Sequence, residues 1–329
     1  MTSTARVAIV QHPPVYLNLS ASVTKAVDLI AEAGAKGAEI IAFPETWLPG
    51  YPVWLDLAPE AAAWDHGPTK ALYRLLVENS VTLGGSALAH LKRAAGRAGA
   101  TVVMGAHERL GGTLYNTMFF LAADGETVQV HRKLMPTYTE RLVWGMGDGS
   151  TLTTVETPFG TLGGLICWEH WMPLARAAMH AKGEMVHVAQ WPTVYDLHQL
   201  ASRHYAFEGQ CFVLAAGTYL RRSDILDGFA SLGVPGSPAG ELLESMPGAP
   251  DEIIHSGGSA IIAPDTGYVA GPLSDATGIL TADLDLAQVT EGHLTIDTDG
   301  HYTRPDVFRL EVDTRPQHGV VWKGQGAKG

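Results

Sequence analysis

Short apolar runs recur along this chain, and segments with helical periodicity separate many of them. The runs stand at residues 7–10, 40–43, 101–105, 162–166, 185–189 and 212–216. Nearly continuous apolar runs are typical of buried strands. Because these runs alternate with helices, they predict an α/β protein whose sheet is covered on at least one face.

The remaining secondary structure follows from turn and capping signals. Asp124-Gly125 and Asp265-Thr266-Gly267 are typical of hairpin turns. Ser20 is the predicted N-cap of a first helix that ends near Gly34 and Gly37. Further strands are predicted at 115–121, 127–132 and 260–263, and further helices at 70–77, 87–98, 173–182 and 197–208.

The pattern contains no interdomain linker and no internal repeat, so we predict a single domain over residues 1–312. Within it, residues 227–258 are rich in Gly, Pro and Ser and have no clear period. That composition predicts a long surface excursion, either mobile or ordered by a partner. Residues 313–329 are predicted to form a polar C-terminal tail.

The net charge and the cysteine content argue against several classes of function. Lys and Arg total 22 and Asp and Glu total 34, which gives a formal net charge of −12. An acidic chain without a basic block is a poor candidate for binding nucleic acid or an anionic membrane. The sequence has no stretch long enough to span a bilayer, no secretory signal and only two cysteines. We therefore predict a cytoplasmic protein with reduced thiols.

Cys167 directly follows the apolar run 162–166. A thiol at a sharp turn after a strand is held on a rigid element, where a substrate can reach it. Taken alone, Cys167 is equally well explained as a small buried hydrophobic residue, which is how most free cysteines behave. The second cysteine, Cys211, lies beside another apolar run and is predicted to be buried.

Three charged residues also stand at or just beyond predicted strand ends. Glu45 follows the strand at 40–43, Lys133 follows the strand at 127–132, and Glu140 comes shortly after. Singly, they are explained as a loop glutamate, a solvated lysine and a member of a surface ion pair. Together with Cys167 they form a coherent set, in which a carboxylate accepts the thiol proton, the sulfur attacks and a cation stabilises the developing negative charge.

Three segments, in this order, resemble the signature of the nitrilase superfamily, and others resemble its nitrilase branch in particular. The signature segments are Phe43-Pro44-Glu45, His131-Arg132-Lys133-Leu134-Met135-Pro136-Thr137 and Cys167-Trp168-Glu169-His170. The branch segments are residues 49–52, 139–145, 147–150, 172–176, 188–192 and 301–307. The resemblance extends from about residue 7 to residue 310, and the three-part combination is far more specific than any single piece.

This resemblance implies a four-layer αββα sandwich, with two mixed β-sheets flanked by helices. It implies a catalytic triad in which Glu45 is the general base, Lys133 the charge stabiliser and proton donor, and Cys167 the nucleophile. Glu140 matches an additional glutamate that positions Lys133 or the water. The implied reaction hydrolyses a nitrile to a carboxylic acid and ammonia through thioimidate and thioester intermediates, and it requires no metal or organic cofactor.

Two alternatives stay open. An amidase or carbamoylase of the same superfamily would use the same triad on an amide carbon. A catalytically silent protein would keep the fold only for assembly. The resemblance also implies a homodimer built by helix packing, with larger homo-oligomers or spirals common in this branch. The expected partners are a small nitrile, water and further copies of the chain.

Aromatic residues concentrate near the motifs and bear on the substrate. An aromatic lining would suit an aromatic or arylaliphatic nitrile, although core or interface roles explain several of these residues equally well. His170 is predicted to shape the pocket rather than to act as the base. The other candidate pocket residues are Trp47, Tyr51, Trp54, Tyr138, Trp168 and Trp191.

Overall fold

The computed structural model describes residues 4–320, and the elements within them are numbered here in chain order. The strands are β1 (Thr4–Gln11), β2 (Ile40–Ala42), β3 (Thr101–Leu110), β4 (Thr113–Leu121), β5 (Val128–Arg132), β6 (Val155–Thr157), β7 (Gly160–Ile166), β8 (Glu184–Gln190), β9 (Phe212–Ala216), β10 (Tyr219–Arg221), β11 (Ile253–Ile262), β12 (Tyr268–Ser274) and β13 (Gly278–Asp285). The α-helices are α1 (Leu19–Ala35), α2 (Trp54–Leu57), α3 (Gly67–Glu78), α4 (Ser86–Ala98), α5 (Pro173–His180), α6 (Asp196–Gly209), α7 (Arg222–Ala230), α8 (Pro238–Glu244) and α9 (Ala287–Gly292). Short 3₁₀ helices cover Tyr138–Leu142, Gly149–Thr151 and Cys167–Trp171.

The strands form two mixed sheets. In the first the order is β13–β1–β2–β3–β4–β5, and in the second it is β10–β11–β9–β8–β7–β6, with β12 also paired to β11. Strands β1, β2 and β3 run parallel in the first sheet, as do β7, β8 and β9 in the second. The remaining pairs are antiparallel, including the hairpins predicted at Asp124-Gly125 and at Asp265-Thr266-Gly267.

The layers follow from the two faces of each strand. Successive side chains of a strand point to opposite faces. In β1, Val7 and Ile9 belong to the core shared with the second sheet, whereas Ala8 and Val10 belong to the core that α1 and α4 cover. Helices α5 and α6 cover the second sheet, and their buried residues, such as Met179 and Tyr205, share a cluster with its strands. The predicted αββα sandwich is therefore confirmed, and the apolar runs are continuous because both faces of these strands are buried.

The N-cap prediction at Ser20 was wrong. Helix α1 begins at Leu19, and the cap is Asn18, whose side-chain oxygen accepts a hydrogen bond from the backbone N–H of Ala21 at 3.1 Å. Asn and Ser are comparable caps, and the apolar period of the helix does not fix its first turn.

The segment 227–258 differs from the expected irregular excursion. It contains the end of α7, all of α8 and the start of β11. Phe229, Leu242 and Leu243 are buried in a third apolar cluster together with Trp54 and residues of α3. Helix α8 has only seven residues, which is too short to produce a recognisable period, and its signals are instead the Ser237 cap and a proline in its first turn.

Residues 313–320, the described part of the predicted tail, form no helix or strand and are exposed. The backbone N–H of Gln317 donates to the Asp148 carboxylate at 2.7 Å, so this segment returns to the body of the protein. The rest of the predicted tail, 321–329, lies outside the described residues. None of the described helices is both long and apolar enough to cross a membrane.

Candidate active site

Three strand ends converge at one edge of the sandwich. Glu45 follows β2 and Lys133 follows β5 in the first sheet, while Cys167 follows β7 in the second. The two sheets are joined here, because the side-chain amide of Gln190, at the end of β8, donates to the Phe43 carbonyl at 2.8 Å. The fold therefore brings together residues that lie up to 122 positions apart, from 45 to 167.

The ammonium of Lys133 lies between two carboxylates. Its Nζ donates to Glu45 Oε1 at 2.8 Å and to Glu140 Oε2 at 2.7 Å. Asn116 donates to Glu45 Oε1 at 2.6 Å, and the Tyr51 hydroxyl donates to Glu140 Oε1 at 2.8 Å. Because all three charged groups are buried, each hydrogen bond replaces water that burial has removed.

Glu140 is not at the surface in this structure. It is 2% exposed and lies in the first turn of the 3₁₀ helix Tyr138–Leu142. The backbone N–H of Thr137 donates to its Oε2 at 2.6 Å, on the same oxygen that accepts from Lys133. The carboxylate is therefore fixed from the backbone side and from the lysine side.

Cys167 has a strained backbone. Its φ of +54° lies in the left-handed region, which costs a residue other than glycine about 1–2 kcal/mol. One oxygen of Glu45, one oxygen of Glu140 and the Cys167 Sγ all lie within 4.8 Å of one another. Such a trio has donors that a metal ion could use, but the Lys133 ammonium already lies between the two carboxylates and supplies a positive charge there.

The electrostatics favour base-assisted attack over a preformed thiolate. Burial, together with the nearby Glu45 carboxylate, holds the pKa of the Cys167 thiol well above its ordinary value. Burial raises the pKa of Glu45 to about 7, against the opposing effect of Lys133. Burial alone would lower the pKa of Lys133, but Cys167 and the two glutamates hold it well above its usual value. At neutral pH the thiol therefore keeps its proton and Glu45 is poised to accept it.

Glu45 has one oxygen available for that proton. Its Oε1 accepts from Lys133 and Asn116, whereas its buried Oε2 has no hydrogen-bond partner among residues 4–320. A buried carboxylate oxygen without a donor is costly unless something fills the site during function. Glu45 does not itself line the cavity that opens above Cys167, and the arrangement suits transfer of a proton between Glu45 and the nearby Cys167 thiol.

Glu169 stabilises the arrangement of the catalytic residues, a role that was not predicted from the sequence. Its Oε1 accepts from the backbone N–H of Leu134 at 2.7 Å, and its Oε2 accepts from the N–H of Ile166 at 2.6 Å. His131 contacts the same carboxylate at 2.8 Å. Glu169 thus ties the end of β5, beside Lys133, to the end of β7, and its position inside the third signature segment was the available signal.

A cavity of about 300 Å³ opens above Cys167. Its buried base contains Cys167, Glu140 and the largely buried Tyr51. Two further candidate pocket residues, Tyr138 and Trp168, also line it, and they are 81% and 41% exposed, which places them toward its mouth. The other lining residues are Val53, Asp56, Leu57, Thr137, Thr139, Pro192, Thr193, Tyr195, His198, Ile254 and His255.

Four of the expected pocket residues do not line this cavity. Trp47 is buried in the helix-facing core and donates from Nε1 to the backbone oxygen of His12, while Trp54 lies in the third apolar cluster. Trp191 is fully buried and stacks on His170, with ring centroids 4.8 Å apart. His170 is buried, and its Nδ1 lies 2.8 Å from the carbonyl oxygen of Cys167. These large rings fill the interior behind the motif segments, so proximity in sequence to a motif did not place them at the cavity surface.

Comparison with known proteins identifies the family. Residues 6–293 match the family described as carbon-nitrogen hydrolase. The chain belongs to that family, in its nitrilase branch. It is 42% identical over 320 residues to an aliphatic nitrilase of Sinorhizobium fredii (strain HH103), covering 96% of this chain and 98% of the relative.

Another relative and a solved structure agree with that assignment. The chain is 36% identical over 330 residues to a bifunctional nitrilase/nitrile hydratase of Lupinus angustifolius, covering 99% of this chain and 90% of the relative. The crystal structure of a carbon-nitrogen hydrolase from Helicobacter pylori G27 superposes with a TM-score of 0.68 at 18% identity, covering 92% of this chain and 96% of that one. The structural likeness supports the fold.

Proposed function

We propose that this protein is a nitrilase that converts a nitrile to the carboxylic acid and ammonia, with Cys167 as nucleophile, Glu45 as general base and Lys133 as charge stabiliser and proton donor. The observation that carries the proposal is the Lys133 ammonium, fixed by Glu45 and Glu140 beside a buried thiol at the base of a cavity. The relatives named as nitrilases support it.

The first half of the reaction uses the three groups in sequence. Glu45 takes the Cys167 proton while Sγ bonds to the nitrile carbon. The C≡N bond loses one π bond, and Lys133 stabilises the nitrogen as negative charge builds there and supplies its proton, which gives a neutral thioimidate. Lys133 recovers a proton from Glu45, so the pair returns to its starting charge.

The second half consumes two waters. Glu45 activates the first water, which adds to the thioimidate carbon and gives a tetrahedral intermediate. Loss of ammonia leaves a thioester on Cys167, and the second water hydrolyses it to the acid and the free thiol. If the tetrahedral intermediate expels the sulfur instead, the product is the amide, and the bifunctional name of the Lupinus angustifolius relative favours measuring that product too.

A nitrile assay with matched amides tests this proposal. Ammonia release from benzonitrile, phenylacetonitrile and hexanenitrile is compared with release from the corresponding amides. Rapid turnover of nitriles with slow turnover of amides is the expected result. Turnover of the amides alone would establish the amidase or carbamoylase alternative. Absence of product, together with absence of a Cys167 adduct by mass spectrometry, would favour the silent assembly protein.

For the substrate subclass we propose an aromatic or arylaliphatic nitrile. The support is the set of rings at the cavity, Tyr51, Tyr138, Trp168 and Tyr195. A specific observation favours the second candidate, an aliphatic nitrile, because two relatives are named as aliphatic nitrilases. The ratio of kcat/KM for phenylacetonitrile and hexanenitrile decides between them.

We also propose that the chain forms a homodimer through helix packing and assembles further into larger homo-oligomers. Helices α5 and α6 support this, since they carry the exposed apolar residues Leu174, Leu200 and Phe207. Large apolar side chains grouped on a surface favour a protein contact. Light scattering on the purified chain measures the oligomer mass, and a monomer at micromolar concentration would contradict the proposal.

We propose that residues 1–312 form one domain, since the three apolar clusters are built from elements distributed across the described chain.

We propose a cytoplasmic location, since Cys167 and Cys211 are both free thiols. Fractionation of the native host and detection of the intact chain in the soluble reduced fraction tests the location.

The pH dependence of kcat/KM is expected to show an acid limb near pH 7. Glu45 accepts a proton only as the carboxylate, and its pKa is raised by burial to about 7. Activity should therefore rise as pH increases through this value, because the fraction of ionised Glu45 rises. A profile that stays flat from pH 5.5 to 8 would contradict Glu45 as the base. Glu45→Gln should remove nearly all activity across the range.

Replacement of Glu140 by Gln is expected to lower kcat about 100-fold or more, the scale of losing a group that orients a catalytic cation. The amide removes the charge that holds Lys133 and keeps only one of the two oxygens, so it can accept from Thr137 at the Oε2 position while its NH2 group replaces the Oε1 that accepts from Tyr51. Glu126→Gln, at an exposed ion pair, is the matched control and should be fully active. Wild-type rates for the Glu140 variant would assign it a purely structural role.

A further inference from the structure

A chain of buried hydrogen bonds leads away from the nucleophile into the second sheet. His170 Nδ1 lies 2.8 Å from the Cys167 carbonyl oxygen, and its Nε2 lies 3.0 Å from Nε2 of His187. His187 Nδ1 lies 2.9 Å from Glu184 Oε1, and the Tyr205 hydroxyl donates to Glu184 Oε2 at 2.5 Å. All four side chains are buried, and the reaction proposed above uses none of them.

The number of protons in this hydrogen-bond network is fixed by the groups at its two ends, the Cys167 carbonyl and the Glu184 carboxylate. The Cys167 carbonyl is an acceptor, so His170 Nδ1 must carry a proton. The contact between the two Nε2 atoms needs a second proton, and the contact between His187 and Glu184 needs a third. Two neutral imidazoles beside a carboxylate hold only two protons. The hydrogen-bond network therefore holds one proton more than two neutral imidazoles and a carboxylate would hold.

The extra proton lies on the side of this network away from His170. Burial lowers the pKa of His170 well below its ordinary value, so that ring stays neutral. Burial alone would raise the pKa of Glu184, but the neighbouring His187 and the hydrogen bonds that it accepts lower it. With His170 neutral and Glu184 accepting, the three contacts make His187 the donor to Glu184 on one side and to His170 on the other.

The surroundings are shaped around this pair. A Cβ atom at Gly163 would lie 1.6 Å from Glu184 Oε1, so glycine at this position of β7 leaves the room that the carboxylate occupies. The Tyr205 ring stacks on the His187 ring with centroids 3.8 Å apart, which places a π-face against the cation. Both features are independent of the proton count.

At its other end, the hydrogen-bond network reaches the nucleophile through one peptide group. The carbonyl of Cys167 accepts from His170, and the N–H of the same peptide group, contributed by Trp168, faces the Cys167 thiol. A hydrogen bond to the carbonyl of a peptide group strengthens donation by its N–H. We propose that the His187–Glu184 ion pair acts through His170 to polarise this peptide group, so that it stabilises negative charge on Cys167 Sγ and holds the strained Cys167 backbone.

His170, His187 and Glu184 are thus positioning residues. Their effect on turnover rests on the proposed nitrilase reaction, but the charge on His187 and its effect on the thiol do not. The other titratable groups that face this chain come from α5, α6 and the residue before β9. They are Arg176, His180, His198, Tyr205, Glu208 and Cys211.

The charge on His187 is measured directly by NMR of protein labelled with ¹⁵N-histidine. We expect the wild type to contain a histidine ring with both nitrogens protonated that is absent in His187→Asn. His131, which also contacts a glutamate, supplies a second imidazolium signal that should survive in this variant. Loss of only neutral-ring signals in His187→Asn would overturn the proposal.

The effect on the thiol is measured by the rate at which iodoacetamide alkylates Cys167, followed by peptide mapping. In Glu184→Gln we expect the midpoint of the pH–rate curve to move up by about one pH unit. For nitrile turnover, kcat should fall roughly 10-fold with little change in KM. Glu184→Asp should restore part of both, and exposed Glu156→Gln is the matched control. An alkylation curve identical to that of the wild type would overturn the proposal.

A second variant keeps the test decisive if Glu184→Gln fails to fold. In His170→Asn the amide Nδ2 can replace Nδ1 as donor to the Cys167 carbonyl, but the link to His187 is lost. This variant should show the same upward shift of the alkylation midpoint, and an unshifted midpoint counts against the proposal. If nitriles are not turned over at all while the shift remains, the proposed nitrilase function has failed and this inference stands.

Discussion

Replacement of Cys167 by alanine is expected to abolish acid formation from every nitrile, with kcat lowered by about 10⁴-fold or more. Without Sγ no thioimidate can form, and the cavity loses its nucleophile although Glu45 and Lys133 remain behind it. Direct attack by water on a nitrile carbon is far slower, because the covalent route divides one high barrier into lower ones. Quantitative detection of acid, amide and ammonia over long incubations measures the loss.

The second cysteine of the chain supplies the control. Cys211 is fully buried beside β9, with no solvent-exposed surface, and its backbone N–H donates to the Ala206 carbonyl of α6. Cys211→Ala should therefore keep nearly full activity at a small cost in stability. Acid formation by Cys167→Ala within 100-fold of the wild type would contradict covalent catalysis, whereas equal losses in both variants would indicate a general effect of removing a buried thiol.

The catalytic strand ends could be predicted from the sequence, but their convergence could not. Apolar runs ending at residues 43 and 166 place Glu45 and Cys167 at strand ends, because a strand buried on both faces has a strong signal. The same runs are compatible with a single doubly wound sheet. Only the resemblance to a family assigned them to two sheets, since the pairing of distant strands is set by tertiary packing rather than by local pattern.

Elements with weak signals were missed for a physical reason. Strand β13 pairs along the whole of β1, yet most of its residues are partly exposed and its apolar residues form no continuous run. Helix α8 is shorter than the window over which helical periodicity is visible. Such elements are held by what they pack against, so their own residues carry little of the information.

The buried polar network shows the same limit at the level of single residues. His187 interrupts the apolar run 185–189, and this interruption was a sign in the sequence of a buried polar group. Its partners Glu184 and His170 lie on a strand and on a 3₁₀ helix that meet only in the folded protein. A polar residue inside a buried strand indicates that a partner exists, but not which residue it is.

Replacement of Lys133 by methionine is expected to remove activity by about 10³-fold or more and to destabilise the protein by about 3–5 kcal/mol at pH 8. The variant leaves Glu45 and Glu140 buried beside each other without their shared cation. Burial and the neighbouring carboxylate, no longer opposed by the ammonium, then raise the pKa of Glu45 further. A carboxyl whose pKa is higher in the folded state stabilises the fold below its unfolded pKa, near 4, and this contribution is lost as pH rises through the folded value.

The Lys133 variant should therefore be more stable at pH 5 than at pH 8, relative to the wild type at the same pH values. Thermal or urea unfolding at both pH values measures this difference in stability. Its sign is the one expected if the Glu45–Glu140 pair takes up a single proton at the lower pH. Lys36→Met, which removes an exposed ion pair with Glu32, is the matched control and should change stability by less than about 1 kcal/mol at either pH. If the Lys133 variant loses no more stability at pH 8 than at pH 5, the two carboxylates are not held ionised by the ammonium, and the charge arrangement on which the proposed chemistry depends would have to be abandoned.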